Sequence, residues 1–335
     1  MASSEERRLS GVSAVLTMVT EALKWPSDTM ARRYAEPALS HHDMMQAGEV
    51  MAGVMPINID KNRYSNICPY DDQRVVLRRD GPSDYLNASH IELPHVRAIA
   101  AQGPTHPDWH GTDTTGDFWR AVWEQGVETI VALADVQSGF SGSARYWPQT
   151  IGVDSTVCGF YPKLSMTLLS EEKGDHFTTR RLRLSQAGSE TRDVLQLHYT
   201  SWPNYGVPKS TKGVAMLLRT VETLESARLA RDVTEPAPPL LVHCSGGVGR
   251  TGVFLTALSV YRTILPTVPS GSTVVPKPLR NADALADLIA ETVGSLRKQR
   301  HPWMVEGAAQ YSFAHALIID ECAATSQALS GQAAY

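Results

Sequence analysis

Cysteine is scarce in this chain: four residues, Cys68, Cys158, Cys244 and Cys322, are spread over 335 positions. None sit at the short spacings that ligate zinc or staple a small secreted fold. This points to free thiols in a reducing compartment, with no metal and no cofactor expected. Long apolar runs are missing too, and nothing approaches the roughly 20 residues that cross a bilayer. Charge of one sign is not in excess. Lys and Arg number 31 against 35 Asp and Glu, a net charge of −4 with the signs interspersed. The sequence therefore makes no electrostatic case for nucleic acid or an anionic membrane. The opening Met-Ala-Ser-Ser-Glu-Glu-Arg-Arg mixes acids with bases, unlike a secretory signal. Ala2 stands where myristoylation needs glycine, and the closing Gly-Gln-Ala-Ala-Tyr offers no prenylation site. The expectation is a cytoplasmic monomer without membrane insertion. With 42% hydrophobic residues, the chain can bury one large core or two small ones.

One stretch organises the rest: Pro238-Pro239-Leu240-Leu241-Val242-His243-Cys244-Ser245-Gly246-Gly247-Val248-Gly249-Arg250-Thr251-Gly252. It reads as a short buried strand, a glycine-rich loop and the start of an apolar helix over residues 253–265. So few side chains let the loop curl until successive backbone N–H groups point inward, an anion nest at a helix N-terminus. Arg250 adds a planar fork of donors that matches two phosphate oxygens. A thiolate at Cys244 is stabilised by those same amides, so its pKa is expected to fall below that of free cysteine. The pocket would bind a phosphate dianion with a nucleophile under its phosphorus. A lone cysteine is more often an inert core residue. Six specified positions in a strand–loop–helix context weigh for the chemistry instead.

The string His-Cys-x-x-Gly-x-x-Arg-Thr-Gly resembles the signature of the protein tyrosine phosphatases, and further landmarks in family order extend the resemblance over residues 55–322. Lys61-Asn62-Arg63-Tyr64 is similar to the family's phosphotyrosine-recognition loop, and Tyr199-Thr200-Ser201-Trp202-Pro203-Asn204 to its mobile Trp-Pro-Asp loop. The resemblance implies an α/β fold, with a central, highly twisted mixed β-sheet flanked by helices. It divides the chain into a helical extension packed on the core (1–50), a catalytic domain (51–325) and a tail (326–335). It implies phosphotyrosine proteins as substrates and a non-receptor type of enzyme. Cys244 becomes the nucleophile, and Arg250 with the amides of Ser245, Gly246, Gly247, Val248 and Gly249 the phosphate cradle. His243 orients the loop, and Thr251 hydrogen-bonds the sulfur. Tyr64 forms a wall deep enough to disfavour phosphoserine, and Asn66 contacts substrate backbone. Trp202 anchors the mobile loop, and Gln310 with Glu306 flanks the hydrolytic water.

The chain departs from the family pattern in three regions. Gln137 and Gly142 stand where the family usually has a Glu that holds the signature arginine and a Lys near the substrate. Asn204 replaces the Asp that protonates the leaving oxygen. Glu306 replaces the first of two Gln residues at the water site. A carboxylate there either activates water directly or is merely solvated at a helix start. Two functional readings therefore stand: a phosphatase slowed by Asn204, and a pseudophosphatase that captures phosphotyrosine with negligible turnover. A phosphoinositide phosphatase ranks below both, because the loop interior carries no Lys or Arg. Asn204 as a deliberate trapping substitution is also compatible with the sequence.

Elsewhere periodicity gives a coarse map. Helices are expected over 10–24, weakly over 30–51, and over 282–297 and 308–324. A strand is expected over 128–135, and an antiparallel meander from 164–169, 177–184 and 194–199. Phe118, Trp119, Val122 and Trp123 read as core. Residues 266–280, rich in Pro, Ser and Gly, read as a surface loop.

Overall fold

The computed structural model describes residues 4–22, 24, 33–34, 41–78, 83–107, 112–136, 142–157, 163–203, 206–230, 237–265, 279 and 281–332. Gln137, Cys158, Asn204 and nearly all of the 266–280 loop lie outside the described residues. Nine strands form one mixed sheet: β1 (Arg74–Val76), β2 (Tyr85–Leu93), β3 (Val96–Ala101), β4 (Thr129–Ala132), β5 (Asp154–Val157), β6 (Leu164–Lys173), β7 (Thr178–Gln186), β8 (Arg192–His198) and β9 (Leu240–His243). Their spatial order is β1-β2-β3-β9-β4-β8-β7-β6-β5. The inner strands β3, β9, β4 and β8 run parallel, and the outer pairs are antiparallel. The expected meander is β6-β7-β8, joined to the rest through β8 and β4.

β9 reads Leu-Leu-Val-His without a polar face because it lies between two strands and under two layers, as a central parallel strand does. Alternation sends Leu241 into one core and Val242 into the other. Phe118, Trp119 and Val122, on helix α4 (Thr115–Glu124), pack with Tyr146 and Trp147 beside Leu241, and Trp123 is half-buried at the edge. On the Val242 side lie α1 (Ser4–Ala22), α5 (Lys212–Leu229), α6 (Gly249–Ile264), α7 (Ala282–Gln299) and α8 (Gly307–Gln332). α6 is buried nearly all round, which explains why its sequence lacks a polar stripe. Val15, Met18, Val19 and Ala22 of α1 enter the same core as α6 and α8, so the N-terminal helix packs on the body of the fold.

Two expectations meet a different outcome. Within the weak helix expected over 30–51, the described residues show Arg33 in helical conformation and α2 (His41–Gln46), which a turn with Gly48 at φ +73° separates from α3 (Met51–Val54). A left-handed residue there ends the helix. α8 runs to Gln332, so the tail boundary expected at 325 falls inside a helix.

Candidate active site

Cys244 leaves the C-terminal end of β9, its register fixed by His243 pairing with Ala101 on one side and Ala132 on the other. The chain then curls through Ser245, Gly246, Gly247 and Val248 before α6 begins. Gly247 makes the curl possible. It adopts φ +70°, and a Cβ there would sit 2.3 Å from the Ala101 carbonyl oxygen. Its N–H donates to Cys244 Sγ at 3.3 Å. Gly247→Ala is therefore expected to cost at least 1–2 kcal/mol from the left-handed backbone alone, with the clash added. Urea unfolding checks this, and a midpoint equal to that of the wild type contradicts it.

Cys244 is 3% exposed. Burial by itself pushes the thiol up. The Arg250 guanidinium, the Thr251 hydroxyl and the amides of Thr251 and Val248 outweigh it, so the thiol sits below its ordinary value. The Thr251 hydroxyl is buried outside normal hydrogen-bond geometry to any partner, so it acts on the sulfur as a nearby dipole. Two carbonyls and a hydroxyl hold the Arg250 fork: Nη1 donates to Leu133 O at 3.0 Å and Trp202 O at 3.3 Å, and Nη2 to Ser245 Oγ at 2.7 Å. The guanidinium held in this way is the largest of the influences that lower the Cys244 thiol. Behind the loop, burial pushes His243 down to about 3, so its ring is neutral. Its Nδ1 lies 3.2 Å from Cys244 O, which only accepts, so Nδ1 carries the proton. Nε2 then accepts from the Tyr146 hydroxyl at 2.7 Å.

A cavity of about 220 Å³ opens above Cys244. It is lined by Tyr64, Asn66 and Ile67, by the loop residues Ser245, Gly246, Val248, Gly249 and Arg250, and by Trp303 and Glu306. The Tyr64 ring leans over Gly246, where an added Cβ would be 3.2 Å from Cδ2. Trp202 is outside the cavity. It is buried against Phe313, its Nε1 donates to Gly206 O at 3.0 Å, and its own carbonyl receives Arg250. Gln310 is likewise buried behind Gly249 and accepts the Glu306 N–H at 3.0 Å. Burial raises the Glu306 carboxyl pKa, and Arg250 partly opposes it.

Sequence reasoning missed Arg300. It is fully buried beneath the loop, donating to Gly246 O at 3.1 Å, Gly247 O at 3.3 Å and Asn87 Oδ1 at 2.5 Å. Gripping those carbonyls from behind turns the loop amides toward the cavity. Asn87 Nδ2 passes the network to Asn62 Oδ1 (2.8 Å), which also accepts from Tyr85 OH (2.6 Å). Asn62 and Arg63 thus anchor the Tyr64 loop; Arg63 donates to Pro104 O at 2.8 Å and takes Gln102 Oε1 on its own N–H at 2.7 Å. Trp303, 44% exposed on the rim, was also passed over, although a large exposed aromatic beside Glu306 was a usable signal.

A larger cavity of about 520 Å³ lies at the opposite ends of the parallel strands. Among the described residues it holds no nucleophile, and ion pairs such as Arg181–Asp193 and Arg262–Glu222 engage charges at its edge. Among the described residues no cluster of three His, Cys, Asp or Glu side chains could bind a metal, and no helix is long and apolar enough to cross a membrane.

A sulfur held below its ordinary pKa beside the Gly247 amide and a guanidinium fork is the arrangement of a cysteine nucleophile in an anion-accepting pocket. The family profile for protein-tyrosine phosphatase matches residues 58–320, and the chain belongs to that family. It is 37% identical over 221 residues to tyrosine-protein phosphatase non-receptor type 21 of Rattus norvegicus, which covers 62% of this chain and 18% of that protein. It is 35% identical over 296 residues to receptor-type tyrosine-protein phosphatase H of Homo sapiens, covering 86% and 23%. Phosphatidylinositol phosphatase PTPRQ of Homo sapiens is 35% identical over 272 residues, covering 79% and 10%. The chain thus spans less than a quarter of the length of each of these relatives. Receptor and non-receptor types both occur among them, which fixes the family and not the subtype.

Proposed function

We propose that this chain is a protein-tyrosine phosphatase of the non-receptor kind, hydrolysing phosphotyrosine on proteins through a cysteinyl-phosphate intermediate. The observation that carries the reading is Cys244 Sγ, 3.3 Å from the Gly247 amide and lowered in pKa beside Arg250, on the floor of a cavity walled by Tyr64. The Cys244 thiolate attacks phosphorus; Arg250 and the loop amides neutralise the equatorial oxygens as charge builds on them. Thr251 eases departure of the sulfur in the second step, and neutral His243 orients the Cys244 carbonyl. Tyr64 stacks on the substrate ring and sets the depth of the slot. Asn66 receives substrate backbone, Trp202 holds Arg250 through its carbonyl, and Gln310 supports the water site. No cofactor enters this scheme. Cytoplasmic residence, a monomeric state, a role in signalling and a boundary near residue 50 between the helical extension and the catalytic domain belong to the same proposal.

Asn204 favours a second reading, a phosphotyrosine binder with negligible turnover, because an amide has no proton to give the leaving phenolate. Retention of Cys244, Arg250 and Thr251 favours the enzyme, since binding alone needs no nucleophile. Phosphate release from a phosphotyrosine peptide, a phosphoserine peptide and phosphatidylinositol phosphates tests the assignment. Release from the first alone is expected. Equal release from phosphoserine overturns the slot-depth argument, and preference for the lipids moves the chain to the activity named for one of its relatives.

A further inference from the structure

Glu306 is the single carboxylate among the described residues lining the 220 Å³ cavity. The backbone delivers it there. Val305 is fully buried at φ +60°, a strained conformation for a β-branched residue, and Gly307 follows at φ +77°. The amides on either side of the carboxylate's own Cα are both occupied: Glu306 N–H donates to Gln310 Oε1 at 3.0 Å and Gly307 N–H to Tyr34 OH at 3.1 Å. The side chain is thereby placed over the start of α6, where a Cβ added to Gly249 would lie 3.1 Å from Glu306 Oε2. A half-buried acid held by a strained turn at the mouth of a nucleophile's pocket is placed for proton transfer.

We propose that Glu306 is the proton-transfer residue of both half-reactions, standing in for the acid absent at Asn204. This inference deepens the phosphatase reading and rests on it. In the first step the Cys244 sulfur bonds to phosphorus, the bond from phosphorus to the phenolic oxygen breaks, and the Glu306 carboxylic proton passes to that oxygen. In the second, water attacks the same phosphorus, the sulfur–phosphorus bond breaks to regenerate the thiolate, and a water proton returns to Glu306. The proton count closes over one turnover without a co-reactant. One group serves both steps because leaving oxygen and attacking water occupy the same place opposite the sulfur. Burial already favours the protonated carboxyl, and an arriving phosphate dianion favours it further, while Arg250 opposes both. Among the described residues, the other titratable groups facing the cavity are Tyr64 and Cys244, with Arg297 and Tyr34 behind the turn.

The test compares burst and steady-state phases of wild type, Glu306→Gln, Glu306→Asp and Glu306→Gln/Asn204→Asp on phenyl phosphate and 4-nitrophenyl phosphate, across pH. Glu306→Gln is expected to lower steady-state turnover of phenyl phosphate by about 10²-fold or more. With 4-nitrophenyl phosphate, whose leaving group needs little protonation, the burst persists while the steady state falls. The limb of the pH–rate profile due to the carboxyl disappears in Glu306→Gln and persists, at lower rate, in Glu306→Asp. Adding Asn204→Asp restores turnover to Glu306→Gln. Steady-state rate and pH limb both unchanged in Glu306→Gln, or a rate that rises, overturn the role of Glu306. Failure of the phosphatase reading looks different: the wild type itself then gives no burst with either ester.

Discussion

Cys244→Ser loses turnover of a phosphotyrosine peptide by about 10⁵-fold or more, the scale seen when a covalent nucleophile is removed, and still binds the peptide. A serine hydroxyl at this position receives the same Gly247 amide and the same Arg250 field that lower the cysteine thiol. Those interactions are too weak to ionise an alcohol near neutral pH, so the cradle remains and the attacking anion does not. Arg250 stays fixed by Leu133 O, Trp202 O and Ser245 Oγ, none of which the substitution touches. Peptide affinity by calorimetry and phosphate release by single-turnover assay separate the two effects. Residual turnover within about tenfold of the wild type would remove Cys244 from the chemistry.

Asn204→Asp acts in the opposite direction. Phenol leaves with a pKa near 10, and protonating such a group is worth about 10²–10⁴ in rate. With Glu306 supplying part of that help in the native chain, the gain on phenyl phosphate is expected near the lower end, about 10²-fold. In the Glu306→Gln background it widens toward about 10⁴-fold. On 4-nitrophenyl phosphate the gain is much smaller, because that leaving group departs as a stable anion. The ratio of gains between the two esters is the measurement. No gain on phenyl phosphate in either background removes the missing acid as the cause of slow turnover.

Local patterns were legible in the sequence and distant partnerships were not. The run from Leu240 to Gly252 announced strand, loop and helix because all three are contiguous. Alternation across 164–199 announced the meander for the same reason. Phe118, Trp119 and Val122 recur on one helical face and were readable as core. Arg300 and Asn87 are 213 positions apart, and each alone is an ordinary polar residue. Only the strand order, which sets β3 beside β9, carries the Asn87 end of β2 to the signature loop. Glu306 was noticed as a substitution. That it lines the cavity depends on a positive φ at Val305, which a valine gives no reason to expect.

The hydrogen bonds running from Tyr85 through Asn62 and Asn87 to Arg300, and on to the Gly246 and Gly247 carbonyls, join the aromatic wall to the phosphate floor as one body. The distance between the Tyr64 ring and the sulfur is then set at folding, before any ligand arrives. On the proposed reading, little conformational entropy would remain to be lost on capture, and the slot would not shorten itself around a smaller phosphoester. If the slot takes phosphotyrosine as proposed, discrimination by substrate length would be a property of the resting protein, governed from buried residues such as Asn87.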